Sequence, residues 1–226
     1  MTLILGKNKI IFVHVPKTGG ESITDSLLQY AGLRQKLWYS NSFSTKLLRK
    51  TIHEIEKILP ERLNPDFASR RWVTGYKKHE KSIDIQKKLG HSYCQYYSFA
   101  VIRNPYTHWI SFYNYIKKCP SHPYNQYAND SQSSLLEIIK LKNPHGLQTP
   151  FVTDARGNSN VSKLFRFEDV FSKSILSLPG FNSPIKIRHL NSNSTKSIGQ
   201  HSPGNYSISD SIKAYLDNDY QLWSNL

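Results

Sequence analysis

The stretch from Ile10 to Ser22, IIFVHVPKTGGES, constrains this chain more than any other. Ile10, Ile11, Phe12, Val13 and Val15 form a near-continuous apolar run, the pattern of a parallel strand buried on both faces. Pro16 ends the ladder because it has no amide donor. Gly19 and Gly20 let the backbone approach a ligand closely, and Ile23, Leu27 and Leu28 then recur at helical spacing. A strand, a glycine turn and a helix in that order aim free amides and the positive end of the helix dipole at the loop. Lys17, Thr18 and Ser22 add one cation and two hydroxyls. Such a loop suits an anion, phosphate foremost.

A glycine turn after an apolar strand serves equally well as a tight connection, so the order of residues carries the argument. Lys17 precedes the glycines, whereas a Walker A loop places its lysine after them. The set Pro16-Lys17-Thr18-Gly19-Gly20-x-Ser22, with His14 ahead of it, resembles the sulfotransferases. It is most similar to the branch with a His-x-Pro-Lys-Thr-Gly-Gly-x-Ser loop that includes many carbohydrate sulfotransferases. The resemblance implies that Lys17, Thr18, Gly19, Gly20, Glu21 and Ser22 hold the 5'-phosphosulfate of 3'-phosphoadenosine 5'-phosphosulfate, the sulfuryl donor.

A second buried-type strand, Tyr96 to Ile102, runs into Arg103-Asn104-Pro105. Pro105 suits the first turn of a helix, and Trp109, Ile110, Tyr113 and Ile116 then share one side. Ser111 falls eight positions beyond Arg103. This order resembles the family's second phosphate site, which implies that Arg103 and Ser111 bind the donor's 3'-phosphate; the planar guanidinium makes paired bonds to phosphate oxygens. His108 stands where the family often carries an arginine. Between the two loops, Gly75-x-x-x-His79 ahead of a helix from Ser82 to Leu89, closed by Gly90, resembles an element whose histidine is the family's usual candidate base. Neutral imidazole can take the proton of an attacking hydroxyl, so the resemblance implies His79 as the catalytic base, with Lys17 stabilising the charge that grows on the leaving 5'-phosphate.

Farther on, Val161 to Phe167 alternates as a strand does, and Glu168-Asp169 opens a helix to Leu178, where acidic residues favour the dipole. Capping is the simpler role for Glu168 than base catalysis. The polar loop Asn191 to His201 resembles the segment that closes over the nucleotide, which implies Lys196 as a ligand of the 3'-phosphate; a disordered surface loop is the rival reading. Packing helices are expected over Thr45–Leu59, Ser133–Leu141 and Ser207–Trp223. Turn-rich chain is expected over Cys119–Asp130, and a last strand over Ile185–Leu190. Trp38, Tyr39 and Phe43 read as pinning a surface loop. His145, Gln148 and Arg156, in a long loop, are candidates for acceptor contact.

Composition narrows the partners. Thirty Lys and Arg against 16 Asp and Glu leave a net charge of +14, which attracts polyanions and anionic small molecules. No zinc-finger spacing, basic zipper or RNP-type aromatic motif accompanies that charge, so nucleic acid is not the expected partner. Cys94 and Cys119 make no disulfide framework and read as reduced thiols. No apolar stretch approaches the roughly 20 residues that span a bilayer. The N-terminus carries its basic residues after its apolar ones, unlike a secretory signal, so a cytoplasmic protein is expected.

The expected fold is a single α/β domain over residues 1–226, P-loop-like and three-layered, with a mostly parallel central sheet and helices on both faces. The resemblance implies a sulfotransferase that moves a sulfuryl group to an acceptor hydroxyl on a carbohydrate, an anionic glycan among the candidates, with no metal. A P-loop kinase and a non-catalytic basic module binding glycan or nucleic acid are the alternatives.

Overall fold

The computed structural model describes residues 2–32, 36, 78–142, 146–190 and 208–226. The expected helix 45–59, Gly75, the aromatic residues Trp38, Tyr39 and Phe43, His145, and Lys196 with its loop 191–201 lie outside them.

Among the described residues the main sheet has four strands in the order β1 (Leu3–Leu5), β2 (Ile10–Val13), β3 (Tyr97–Ile102) and β4 (Lys163–Arg166). The first pair is antiparallel; β2, β3 and β4 are parallel, with Phe12 beside Phe99 and Ile102 beside Arg166. Parallel neighbours require crossovers, and helices fill the described parts of them. These are α1 (Gly20–Leu28), α2 (Ser82–Leu89), α3 (Pro105–Lys117), α4 (Asn125–Asp130), α5 (Gln132–Lys142) and α6 (Thr149–Val152). After β4 come α7 (Phe167–Lys173), an antiparallel pair β5 (Ile175–Leu176) and β6 (Ile185–Lys186), then α8 (Asp210–Tyr215) and α9 (Asp217–Ser224).

The apolar run of β2 has no polar side because both faces are covered. Alternate residues of a strand point oppositely. Ile10 and Phe12, with Phe99 and Val101, meet Ile23 and Leu27 of α1 and Val170 and Phe171 of α7. Ile11 and Val13, with Ala100 and Ile102, meet Ile85 of α2 and Phe151 and Val152 of α6. Phe12 and Phe99 are fully buried and stack at 5.1 Å, each burial stabilising by roughly 1.5–3 kcal/mol. A third cluster joins Trp109 and Ile116 of α3 to Leu135 and Ile139 of α5 and Ile212 of α8.

Local departures have local causes. The stretch expected to be only turns contains α4, whose Asn125 side chain donates to the Ile116 and Lys117 carbonyls at the end of α3. The helix after β4 stops at Lys173, because Ser174 adopts a left-handed backbone at φ 52, and a short strand follows. The strand expected at Ile185 pairs with that strand, outside the main sheet. The C-terminal helix is divided at Leu216. Cys94 and Cys119 are both free thiols.

Candidate active site

The loop after β2 owes its shape to packing. Thr18 is fully buried, and its hydroxyl donates to the Val15 carbonyl at 3.0 Å, closing the turn from within. Lys17 takes a left-handed backbone at φ 62, and Gly19 does so at φ 73 as the N-cap of α1. Among the described residues no side chain caps that helix, and its first amides and the positive dipole end face the loop. A Cβ on Gly19 would lie 2.2 Å from the Phe171 ring, and one on Gly20 would lie 2.0 Å from the ring of His14. Gly20→Ala is therefore expected to displace the buried His14 ring and lower stability by about 1–3 kcal/mol, measurable by thermal unfolding. A wild-type melting temperature in that variant would show that the loop yields freely. The Ser22 hydroxyl accepts from the Leu190 amide at 3.1 Å and keeps its own proton to give.

His14 also connects the loop to His79. Their rings meet edge to face at 4.4 Å, and His79 Nδ1 lies 3.1 Å from the His14 carbonyl oxygen. A carbonyl only accepts, so Nδ1 carries the proton and the basic lone pair of neutral His79 sits on Nε2. Beside it, Lys78 pairs with Glu21 at 2.9 Å across an exposed surface. That pair ties the approach to His79 to the first turn of α1, at a worth of about 1 kcal/mol or less.

Arg103 leaves the end of β3 held on every side. Its backbone amide donates to Oε1 of Gln148, and Nε2 of Gln148 donates back to its carbonyl, both at 2.8 Å. Its Nε donates to the Thr107 hydroxyl at 3.0 Å, and its guanidinium lies 4.7 Å over the Phe167 ring. Asn104 caps α3, accepting from the Tyr106 and Thr107 amides, while its own amide donates to Glu168 at 3.0 Å. Glu168 thus clamps the arginine turn. Gln148 was expected at the acceptor; it is 1% exposed and spends both amide ends on Arg103. Behind it, buried Asp219 accepts from the Gln148 and Thr149 amides, so α9 braces the Arg103 turn through α6. Burial pushes the Asp219 carboxyl up, with those bonds opposing.

Helix α3 draws the two loops together. Thr107, Ser111 and Tyr115 recur every fourth position and form one ridge. Arg103 is tied to its first member, and Lys17 Nζ sits 4.3 Å over the ring of the last. Half-buried Ser111 lies between them, about 6 Å of helix from each. Burial pushes the Lys17 ammonium below its ordinary value; Glu21 opposes this, and Lys78 and Arg103 reinforce it. Burial likewise lowers Arg103, with Glu168 opposing. Two desolvated cations near enough to repel each other are an arrangement that a bound dianion relieves.

From the next position, His108 reaches back to the first loop: Nε2 lies 2.9 Å from the Pro16 carbonyl oxygen, and the side chain is wholly buried. Burial pushes its pKa down to about 4, the bond to Pro16 opposing and Arg103 and Lys17 reinforcing. The unfolded chain therefore takes up this proton first as pH falls. The stability that neutral His108 contributes is complete above its ordinary 6.5 and is lost as pH drops toward 4, on the order of 3 kcal/mol in all. Urea unfolding at pH 7 and pH 4.5 is expected to show this loss in the wild type and a smaller one in His108→Gln; equal losses would remove His108 as the source.

The sulfotransferase family model matches residues 1–149. The chain belongs to the sulfotransferase family. No curated protein and no solved structure matches it. The family match spans both loops, His79 and the whole of α3, and ends within α6. Glu168 and Asp219, which brace the arginine turn of this sulfotransferase, lie beyond it. Sequence reasoning placed His14 in the loop motif without a role, and did not find Tyr115 or Asp219 as parts of the site. The fourfold spacing of Thr107, Ser111 and Tyr115 was the available signal for Tyr115; Asp219 acts through contacts with a segment about 70 residues away.

Proposed function

We propose that this sulfotransferase uses 3'-phosphoadenosine 5'-phosphosulfate as donor and a carbohydrate hydroxyl as acceptor. The single observation that carries the reading is the pair of mutually repelling, half-desolvated cations, Lys17 and Arg103, attached to opposite ends of one helix ridge. Such spacing suits a ligand with two separate anionic groups. The donor supplies a sulfuryl group on a phosphate leaving group. On this reading the amides of Thr18 to Ser22 and the ammonium of Lys17 hold the 5' end, the N-terminus of α1 adding its dipole. Arg103 and Ser111 hold the 3'-phosphate, the guanidinium pre-oriented by Thr107 and Phe167. Lys196 is a further ligand of that phosphate. Lys17 stabilises charge growing on the leaving phosphate, and His79 Nε2 takes the proton of the acceptor hydroxyl.

The loop order and the net charge of +14 support an anionic glycan as acceptor. We read the chain as one P-loop-like domain, its donor site at the carboxyl edge of the parallel strands, where β2 and β3 both deliver their loops. Calorimetric titration with adenosine 3',5'-bisphosphate in the absence of Mg²⁺ tests the donor. Micromolar binding is expected, as is weaker binding of ATP. Failure to bind the bisphosphate, or a requirement for Mg²⁺, would overturn it in favour of a kinase or a non-catalytic module.

A further inference from the structure

We propose that His108 is a positioning residue that sets the distance between the two anion-binding loops by donating from Nε2 to the Pro16 carbonyl; the inference rests on the two-anion reading above. The bond joins residues 92 positions apart in the chain, and both of its ends are buried. Its acceptor is critically placed. The Pro16 carbonyl belongs to the peptide that leads into Lys17, whose backbone is held at φ 62, a conformation that a lysine leaves readily when nothing retains it. Turning that peptide would redirect both the Lys17 side chain and the amides that follow. Its donor is equally well placed, since His108 adjoins Thr107, the residue that receives Arg103 Nε. One turn of α3 thus grips the lysine loop with one side chain and the arginine with its neighbour.

The second ring nitrogen supports the assignment. His108 Nδ1 is buried and has no partner among the described residues. A buried polar atom left without a bond is a cost that a merely space-filling residue would avoid. An aliphatic side chain would fill the space without it, but could not donate to Pro16. An arginine, which the family often has here, would add a third permanent charge beside Lys17 and Arg103. Neutral imidazole gives the donor without the charge.

Rigid spacing has a measurable consequence. When two subsites are held at the separation of a ligand's two anions, the second group binds without a further ordering cost, so the bisphosphate gains over either monophosphate. The test compares binding of adenosine 3',5'-bisphosphate, adenosine 5'-monophosphate and adenosine 3'-monophosphate in the wild type, His108→Gln, His108→Leu and His108→Asn. Glutamine can place an amide donor where Nε2 stands; leucine has none, and asparagine is too short. In leucine and asparagine variants that unfold cooperatively, the bisphosphate is expected to weaken about tenfold or more and each monophosphate less than about threefold. Glutamine is expected to keep the wild-type ratio. A general loss of structure would weaken all three ligands alike, so an unchanged ratio in leucine or asparagine, or a glutamine variant as impaired as leucine, overturns the inference.

Nitrogen-15 NMR of the wild-type histidines gives a reading that needs no variant: His108 is expected as the Nε2–H tautomer, free and saturated with bisphosphate, and the Nδ1–H tautomer would overturn the proposal. If the wild type binds no bisphosphate, the donor reading falls and this inference falls with it. If it binds and the ratios do not move, only the inference falls.

Discussion

Replacing His79 with alanine is expected to lower turnover by about 100- to 10,000-fold, the usual contribution of a positioned general base, and to leave bisphosphate affinity within a few-fold of wild type. The expectation follows from the His14 carbonyl, which holds the proton on Nδ1 and so puts the basic lone pair on Nε2. His79 also rests its ring on His14 at 4.4 Å, so its loss leaves a gap beneath the loop. Thermal unfolding therefore accompanies the rate measurement. A variant with normal melting, normal bisphosphate binding and wild-type turnover would remove His79 from the mechanism. His79→Gln separates the two contributions, since glutamine can retain the bond to the carbonyl but is a very poor base.

Replacing Arg103 with alanine is expected to weaken bisphosphate binding by about 10- to 150-fold, the loss of charge-assisted bonds worth roughly 1.5–3 kcal/mol. Adenosine 5'-monophosphate, which lacks the 3'-phosphate, is expected to lose far less. Stability falls too, because Arg103 is the cation beside the Glu168 carboxylate, one of whose oxygens is buried without a partner among the described residues. Arg103→Lys keeps the charge but forfeits the bond to Thr107 and the planar stack on Phe167, so it should recover only part of the affinity. Equal weakening of bisphosphate and 5'-monophosphate in Arg103→Ala would show that the arginine does not read the 3'-phosphate.

Much of the scaffold was legible in the chain. The helix Ser82–Leu89 with its glycine stop lies where its pattern put it, and the helix after Arg103 begins at Pro105 as the missing amide requires. The run of β2 signalled burial on both faces, and α1 and α7 on one side and α2 and α6 on the other supply it. Shorter elements escaped: α4 and β5 have too few residues to impress a period, and β5 is held by its pairing with β6, the strand expected from Ile185. Gln148 misled because a polar residue in a long loop looks like a ligand contact until its two partners are seen.

The sequence by itself determined the strand, the glycine turn, the helix that follows and the order of Lys17, His79 and Arg103 along the chain, because each depends on residues adjacent to one another. Only the tertiary structure decided what holds them at working distances. Gly20 must be glycine because the His14 ring lies against it, Lys17 rests on Tyr115, Gln148 and Asp219 brace Arg103, and His108 bonds to Pro16. Those contacts join positions as many as 98 apart in the chain, as Lys17 and Tyr115 are, and packing is their common cause.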